Sequence, residues 1–348
     1  MTKDISKQGV KKAIIDDVAS MAGVSKTTVS RYLSGKYDML AVETRKHIEH
    51  AIKELDYRPN QMAQGLKGNH SNLIGMVVAD ITNPFFTGIL RGAEDVCKKN
   101  NYSIMVCNTD NDPAKEREYI FMLQSHRIDG LIITTTGHNN EFLYQLASDH
   151  TPVVLVDREV PELEFDTVVT DNAKGTLDGI TFLLNQGYKN IGFFTEPMDW
   201  VSSRLERVNT FRDMLSKQNN LDVNGEVYEI DFNNKDQVQQ KLDMYLNSSK
   251  GTSRAIFAAN GVIMLKIILL LQQKGLKIPD DVAVAGFDNL DWAPAIGGGI
   301  TTIAQPTYEI GSIAMERVLI RIEGEKSSPQ KIQLLAKLII RGSTPLKK

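Results

Sequence analysis

Short apolar runs alternate with helical patterns along most of this chain, and this alternation constrains the fold more than any other feature. The runs are rich in β-branched residues, and stretches of about 10 to 20 residues with helical periodicity separate them. Such alternation is typical of βαβ units, whose parallel strands are covered on both faces. Nine or more strands suit two doubly wound lobes better than one sheet. The runs occupy residues 73–80, 102–110, 130–136, 152–158, 190–197, 227–232, 255–261, 282–288 and 301–306.

The segment before this alternation has a purely helical pattern. Apolar residues recur at helical spacing between Ile14 and Leu55, which predicts three short helices. Ser25 is placed to cap the second helix, and Gly23 falls at the preceding turn, where a positive φ is often needed. The polar stretch 56–69 contains a Pro and two Gly and indicates a boundary. We therefore expect a headpiece at 1–58, a hinge or linker at 59–70 and a two-lobed body at 71–348.

Charge is distributed unevenly between these parts. Residues 1–68 hold 12 Lys or Arg against 8 Asp or Glu, a net charge of +4. The remainder holds 28 against 35, a net charge of −7. A short basic segment attached to an acidic body favours contact between that segment and a polyanion such as nucleic acid.

The second predicted helix carries a polar stripe opposite Val29 and Leu33. The stripe contains hydroxyls and cations without one acid, and such side chains are usual partners of phosphates and base edges. Its spacing matches the recognition helix of a helix-turn-helix motif. A solvated helix face is the alternative for an isolated stripe, but the glycine turn, the boundary and the charge asymmetry favour DNA binding. The stripe comprises Lys26, Thr27, Ser30, Arg31 and Ser34.

Motifs of other function classes do not appear in the sequence. Cys97 and Cys107 have no CxxC pairing and no neighbouring His cluster, so we expect buried thiols in a reducing compartment. The sequence has no glycine-rich dinucleotide loop after a strand, no P-loop, no GxSxG and no HExxH, so we expect no enzyme, cofactor or metal. The triplet 110–112 is interpreted as the cap of a helix that begins near Pro113. Because no apolar run forms a signal segment or a membrane span, we expect a cytoplasmic protein.

Longer stretches resemble one known family. DDVASMAGVSKTTVSRYLSG and TRKHIEHAIKELDYRPNQMAQGLK resemble the DNA-binding headpiece of the LacI/GalR family of bacterial transcription regulators. IGMVVADITNPFF, PVVLVDR, VAVAGFDN and TTIAQP resemble that family's body, which is similar to periplasmic sugar-binding proteins. The resemblance implies an all-α helix-turn-helix headpiece and an α/β, periplasmic-binding-protein-like body. Two doubly wound parallel-sheet lobes with crossing connections would form that body.

The resemblance also implies how operator DNA is bound. In the family, the segment matching 60–66 folds as a helix on DNA, and a Leu at the position of Leu66 wedges into the minor groove. Seven residues with Gly65 among them form only a marginal helix in isolation, which suits a switch. One headpiece reads few base pairs, so a homodimer on a pseudo-palindromic operator is implied. The implied contacts are Ile15, Ser25, Lys26, Thr27, Thr28, Ser30, Arg31, Tyr57, Asn60, Ala63 and Leu66.

Residues directly after the strands are candidates for an effector site, because ligands of such lobes bind at the carboxyl ends of strands. By the resemblance, Arg207 and Asp288 clamp sugar hydroxyls, while Arg158 together with Arg207 would suit a sugar acid. The structural alternative is that aromatics there belong to the core and that an Asp caps the next helix. Gly261 departs from the family, in which an Asp commonly follows the Asn. The implied contacts are Phe85, Phe86, Arg158, Asp171, Ser203, Arg207, Phe232, Asn260 and Asp288.

These observations predict a sequence-specific DNA-binding transcriptional regulator, a repressor of carbohydrate or sugar-acid utilisation genes. A small sugar-type effector between the lobes would control it. Two alternatives stay open. A global carbon-catabolite regulator with a phosphoprotein corepressor shares this architecture. A sugar-binding protein without a DNA function would need export, and the basic headpiece argues against it.

Overall fold

The structure is a computed structural model that describes residues 13–58, 70–160, 164–217, 223–232, 234, 236–248 and 253–347. It divides between Ser71 and Asn72 into two compact units. Within the described ranges, no helix is long and apolar enough to cross a membrane.

The N-terminal unit is a bundle of three helices with a small core of its own. Helix α1 is Ile15–Met21, α2 is Lys26–Leu33 and α3 is Val42–Glu54, and a 3-10 turn at Tyr37–Met39 precedes α3. Apolar side chains from all three helices meet, which confirms the three predicted helices. The buried core consists of Val18, Ala19, Ala22, Val29, Ile48 and Ala51.

The turn between α1 and α2 determines where the second helix begins. Gly23 has a φ of +68°, as predicted, because glycine adopts this conformation at little steric cost. Ser25 caps α2, and its Oγ accepts a hydrogen bond from the backbone amide of Thr28 at 3.2 Å. The cap satisfies an amide that the helix itself leaves unpaired. Both features confirm the interpretation of the sequence.

The C-terminal unit consists of two lobes, each built on a six-stranded sheet. In the N-terminal lobe, apolar clusters cover both faces of the sheet. Its strands are β1 (Leu73–Val78), β2 (Ser103–Asn108), β3 (Gly130–Ile133), β4 (Val153–Val156), β5 (Asp166–Thr170) and β11 (Lys331–Leu334). Its helices are α4 (Pro84–Lys99), α5 (Pro113–Ser125), α6 (Asn140–Ser148) and α11 (Thr307–Ile322). The order is β11-β5-β4-β3-β1-β2, and all neighbours are parallel.

The C-terminal lobe repeats this plan with one antiparallel edge. Its strands are β6 (Asn190–Thr195), β7 (Asn224–Glu229), β8 (Arg254–Ala258), β9 (Ala283–Phe287), β10 (Thr301–Ala304) and β12 (Lys337–Ile339). Its helices are α7 (Asn172–Asn185), α8 (Ser202–Ser216), α9 (Gln237–Ser248) and α10 (Gly261–Gln273). The order is β12-β10-β9-β8-β6-β7, and only β12 runs antiparallel to its neighbour among these strands.

The two doubly wound lobes confirm the predicted fold class, with differences at the sheet edges. Strand β7 begins at Asn224 and ends at Glu229, three residues earlier than predicted, because it pairs in register with β6 from Asn190 onward. Strand β5 is fully buried but lies outside the nine predicted runs, because only Val168 and Val169 of its residues are apolar. The edge strands β11 and β12 were not predicted either. Their side chains are exposed or half-buried rather than fully buried, and such edge strands lack the continuous apolar run of a central strand.

Within the described residues, the chain passes between the lobes three times. The crossings are β5 to α7, β10 to α11 and β11 to β12. Thr170 Oγ1 donates a hydrogen bond to Gln305 Oε1 at 2.8 Å and so joins the first two crossings. This arrangement brings residues that follow the strands of both sheets to one common cavity.

Other residues singled out in the sequence have structural roles. Cys97 and Cys107 are buried free thiols, as predicted, and burial raises the pKa of Cys97 to about 11. Asp112 caps α5 by accepting a hydrogen bond from the amide of Ala114 at 2.8 Å, which confirms the helix-cap interpretation. In the part of the chain that the structure describes, no group of three His, Cys, Asp or Glu side chains is arranged to hold a metal ion.

Candidate functional site

The polar stripe of α2 faces away from the core of the N-terminal bundle. Val29 lies on the opposite side of the helix and is fully buried. The side chains at the start of the helix, together with Arg31, therefore reach solvent on one face, as insertion into a major groove requires. The stripe comprises the exposed Lys26, Thr27, Arg31 and Ser34 and the half-buried Ser30. The predicted contacts Ser25, which is exposed, and Thr28, which is half-buried, lie beside it.

Several predicted DNA contacts also support the bundle. Thr28 Oγ1 lies 2.8 Å from Ser25 Oγ at the helix cap. Ile15 and Tyr57 pack against the helical core and are half-buried. The three remaining predicted contacts, Asn60, Ala63 and Leu66, lie outside the residues that the structure describes.

An acid that sequence reasoning missed joins the stripe from α1. Asp16 Oδ1 lies 2.6 Å from Lys26 Nζ, and the two side chains are 42% and 66% exposed. Asp16 and Lys26 lie on different helices, so the spacing of residues within α2 could not predict their contact. The tight turn at Gly23 separates the two helices. The stripe consequently presents cations, hydroxyls and one carboxylate.

A cleft between the two lobes of the C-terminal unit contains two adjoining chambers. The large chamber has a volume of about 620 Å³ and the small chamber about 100 Å³. Ligand pockets commonly measure roughly 300–1,000 Å³, so the two together suit a small molecule. Residues from both lobes form the walls that the chambers share, namely Asp80, Asn111, Arg158, Glu196, Val201, Arg204 and Phe232.

Arg207 on α8 is fixed in the small chamber by three acceptors. Its Nε donates to Asn172 Oδ1 at 2.8 Å, its Nη1 to Ala259 O at 2.5 Å and its Nη2 to Gln305 Oε1 at 3.1 Å. The guanidinium carbon lies 3.7 Å from the ring centroid of Phe287. Burial lowers the pKa of Arg207 from its ordinary value, but an arginine remains charged at neutral pH. Arg207 is a cation of fixed orientation.

Gln305 joins Arg207 to Asp288. Its Oε1 accepts from Arg207, and its Nε2 donates to Asp288 Oδ1 at 2.6 Å. The other oxygen of Asp288 accepts from the backbone amide of Gly261 at 2.8 Å, at the start of α10. The side chain of Gln305 therefore orients both Arg207 and Asp288, the two residues that were expected to clamp sugar hydroxyls.

Gly261, which departs from the family pattern, has little room for a side chain. A Cβ at this position would lie 2.6 Å from Leu290 Cδ1 and 3.2 Å from Asp288 Cβ. Leu290 thus occupies the space into which the usual Asp would project. The backbone amide of Gly261, rather than a side chain, supplies the contact to Asp288.

Arg158 follows β4 and borders both chambers. Its Nη1 donates to Thr135 O at 3.0 Å and its Nη2 to Asn111 Oδ1 at 2.5 Å. Within the described residues its buried Nε has no hydrogen-bond acceptor, and the ion-paired Asp157 Oδ2 lies 3.8 Å away. Burial raises the pKa of Asp157 and lowers that of Arg158. Arg158 is therefore a buried cation that borders both chambers.

Arg204, unlike Arg158, donates directly to a carboxylate. Its Nη2 donates to Glu196 Oε2 at 2.8 Å and its Nη1 to Pro197 O at 2.8 Å. Glu196 Oε2 also accepts from Asn260 Nδ2 at 2.7 Å. Asn260 in turn caps α10 by accepting from the amide of Ile263 at 2.9 Å. This chain of contacts links the start of α10 to the wall that the chambers share.

Aromatic side chains supply the apolar part of the cleft. Phe85 and Phe86 open α4, are each 5% exposed and meet edge to face with centroids 5.1 Å apart. Phe232 borders both chambers, and Lys266 Nζ lies 3.4 Å from its ring centroid. Trp200, at the large chamber, is 70% exposed. Such rings offer flat surfaces to the carbon face of a sugar.

Eight of the nine predicted effector contacts line the chambers, and Asp171 does not. Asp171 caps α7 by accepting from the amide of Lys174 at 2.9 Å, which is the structural alternative for an Asp after a strand. Most of the lining residues that were not predicted also follow strand ends, so their position in the sequence could have identified them. The eight are Phe85, Phe86, Arg158, Ser203, Arg207, Phe232, Asn260 and Asp288, and the missed ones include Asp80, Asn111, Asp157, Glu196, Arg204 and Gln305.

Comparison with known proteins agrees with this geometry. Residues 14–60 match the bacterial regulatory proteins of the lacI family, and residues 180–344 match a periplasmic binding protein-like domain. The HTH-type transcriptional regulator KdgR of Bacillus subtilis (strain 168) is 50% identical over 331 residues, which cover 94% of this chain and 97% of that protein.

Solved structures agree as well. A LacI-family transcriptional regulator from Silicibacter pomeroyi is 26% identical with a TM-score of 0.80, over 96% of this chain and 99% of that one. A LacI-family regulator from Enterococcus faecium with bound ribose is 28% identical with a TM-score of 0.70, over 79% of this chain and 100% of that one. The chain therefore belongs to the LacI family of bacterial transcriptional regulators, as a DNA-binding protein and not an enzyme.

Proposed function

We propose that this regulator controls genes of carbohydrate use by binding an operator through the stripe of α2, and that a small sugar or sugar acid in the cleft sets the strength of binding. The observation that carries the proposal is the cleft, in which buried charged donors and acceptors are held in place around a cavity between the lobes. Charged groups fixed in this way recognise hydroxyls with defined geometry.

The composition of the walls favours a polyol. Among the described residues, seven carboxylates and three arginines border the two chambers. Carboxylates accept hydrogen bonds from hydroxyl groups, whereas arginines donate to hydroxyl lone pairs. Phe85, Phe86 and Phe232 add apolar surface for a sugar ring. The related regulator of Enterococcus faecium with bound ribose supports a ligand of this class.

A carboxylate on the ligand has one natural partner in this cleft, Arg158. Arg207 and Arg204 direct N–H groups at protein acceptors. Arg158 borders both chambers and, within the described residues, donates only to two neutral acceptors, Thr135 O and Asn111 Oδ1, so N–H groups of its guanidinium and its positive charge remain for a ligand carboxylate. Because a ligand carboxylate would complement this cation, the proposal includes sugar acids beside neutral sugars.

We propose that the α2 stripe contacts the DNA. The proposed domains are the headpiece at 1–58, the hinge at 59–70 and the two-lobed body at 71–348. Since one recognition helix covers only a half-site, we propose a homodimer on a pseudo-palindromic operator. The segment 59–70, with Asn60, Ala63 and Leu66, is the proposed link between cleft and headpiece. Operator binding implies a cytoplasmic location.

The test uses the purified full-length protein and a randomised duplex DNA pool. The protein should enrich a palindromic sequence, and a panel of neutral sugars and sugar acids should contain one class that raises its Tm and changes its affinity for the selected DNA. If only a phosphoprotein changes that affinity, the sugar-effector proposal is wrong and the protein is a global catabolite regulator with a phosphoprotein corepressor. If sugars bind but no DNA sequence is enriched, the protein is a sugar-binding protein without the proposed operator function.

A further inference from the structure

We infer that Asp16 and Lys26 act as one unit that reads a G·C base pair of the operator, so that Asp16 is a specificity-determining residue. The inference rests on the proposed operator contacts of α2. It begins with the ion pair that places Asp16 Oδ1 2.6 Å from Lys26 Nζ. No other acid lies on the stripe as α2 presents it.

The first turn of α1 contains two acids, and both suit the positive end of the helix dipole, but only Asp17 caps the helix. Asp17 Oδ2 accepts a hydrogen bond from the backbone amide of Ile14 at 2.8 Å and closes the start of α1. Asp16 Oδ1 is buried, and Lys26 Nζ is the one partner that the described residues give it. An exposed ion pair of this kind contributes about 0–1 kcal/mol to stability. The fold of the headpiece therefore does not depend on Asp16.

The pair lies where the proposed interface meets the base edges of DNA. Lys26 is the first residue of α2, directly after the cap Ser25, and the N-terminal residues of a recognition helix contact base edges. A carboxylate on this face is repelled by the phosphates, which dominate affinity. In the major groove, a carboxylate accepts a hydrogen bond from cytosine N4.

Lys26 supplies the complementary half of the contact. A lysine ammonium donates to O6 and N7 of guanine, which lie beside cytosine N4 on the same edge of a G·C pair. The opposite charges of Asp16 and Lys26 are already 2.6 Å apart, so the two side chains present an acceptor and a donor side by side. The alternative is that Lys26 leaves Asp16 for a phosphate, in which case Asp16 only weakens binding to every sequence alike.

Selection from a randomised duplex pool, followed by sequencing, distinguishes these cases. The full-length wild-type protein should enrich G·C at one position of each half-site by roughly 5- to 150-fold, the range expected for about 1–3 kcal/mol of discrimination. Asp16→Ala should keep the preferences at all other positions and weaken the preference at this one, because Lys26 alone still donates to guanine. Glu43→Ala is the matched control, because Glu43 also lies in the first turn of a helix and pairs with an exposed lysine, Lys46.

The double variant Asp16→Lys/Lys26→Asp keeps an ion pair but exchanges donor and acceptor, so it should fold with an unchanged Tm and lose the G·C preference. An Asp16→Ala protein that enriches the same bases as strongly as the wild type, with affinity changed uniformly, would overturn the inference and leave the regulator function intact. A wild-type protein that enriches no sequence would instead count against operator binding itself, and the inference would fall with it.

Discussion

Gln305 donates a hydrogen bond from its Nε2 to Oδ1 of Asp288 across 2.6 Å, and this contact connects a lobe crossing to the wall of the cleft. Gln305 lies between β10 and α11, where the chain passes from one lobe to the other. Its Oε1 accepts from Arg207 and from Thr170, which ends β5 at another crossing. A ligand that displaces Asp288 or Arg207 therefore acts directly on the segments that join the lobes.

Gln305→Ala should weaken effector binding and stability together. The substitution leaves buried polar atoms of Asp288 and Arg207 without their partner, at a cost of about 1–3 kcal/mol. Thermal unfolding and calorimetric titration of the binding sugar measure the two effects. Gln272→Ala, which removes an exposed amide on α10, is the control and should change neither quantity. Unchanged sugar affinity in Gln305→Ala would show that the bridge is not part of the site.

Arg158→Gln should lower the affinity for a charged ligand but not the affinity for a neutral one. A hydrogen bond to a charged group contributes about 1.5–3 kcal/mol, so affinity for a sugar acid should fall roughly 10- to 150-fold. Gluconate and sorbitol are a matched pair, because they differ only at the terminal carbon. If the regulator binds either compound, calorimetric titration of both measures the difference, and the loss should be confined to the acid. Arg204→Gln is the control and should affect both compounds alike, since Arg204 is paired with Glu196.

Arg31→Ala should reduce the salt dependence of DNA binding. Arg31 is exposed on the stripe of α2, and a cation that contacts one phosphate contributes about one unit to the slope of log affinity against log salt. Fluorescence anisotropy with the selected DNA at several salt concentrations measures the slope. Lys46→Ala removes an exposed cation from α3 and should leave the slope as it is. Equal slopes for wild type and Arg31→Ala would remove Arg31 from the proposed interface.

Asp166 is a buried carboxylate that joins β5 to α11. It accepts hydrogen bonds from Arg321 Nε at 2.7 Å, from the backbone amide of Gln330 at 2.8 Å and from Arg317 Nη2 at 3.1 Å. Burial alone would raise its pKa, but the hydrogen bonds from Arg321, Gln330 and Arg317 outweigh burial and hold the pKa below its ordinary value.

Because this pKa is lowered by folding, Asp166 stabilises the protein above the unfolded-state pKa of about 3.9, and the contribution disappears as the pH falls through the folded-state pKa. Asp166→Asn should lower the free energy of unfolding by about 3–5 kcal/mol at neutral pH, since it breaks a buried ion pair. Denaturant unfolding at several pH values should show this difference shrinking below about pH 4. Asp178→Asn, in an exposed pair with Lys174, should cost far less.

The sequence predicts those parts of the fold that depend on short-range patterns. The central strands are apolar because both faces are buried, as in the fully buried β3 and β4, and helix starts are visible where a capping side chain such as Ser25 or Asp112 is required. The regions after these strands likewise indicated most of the cleft, including Arg158 and Asp288.

Contacts between distant elements carry no comparable local signal. Arg158 and Asn111 are 47 residues apart, and Thr170 and Gln305 are 135 apart, so neither pair follows from a helical or strand period. Asp171 was predicted to contact the ligand but caps a helix, because an Asp after a strand suits a helix cap and a ligand contact equally well. The half-exposed edge strands β11 and β12 escape detection for a physical reason too, since only one side of an edge is buried.

Only Leu335 and Ala336 separate β11 in one lobe from β12 in the other. With about 3.8 Å between successive Cα atoms, this tether keeps Leu334 and Lys337 within about 11 Å of each other in every state of the protein. The lobes can rotate about the tether but cannot slide apart along it. At this edge, any movement of the lobes that accompanies binding in the cleft must therefore change their angle rather than their separation.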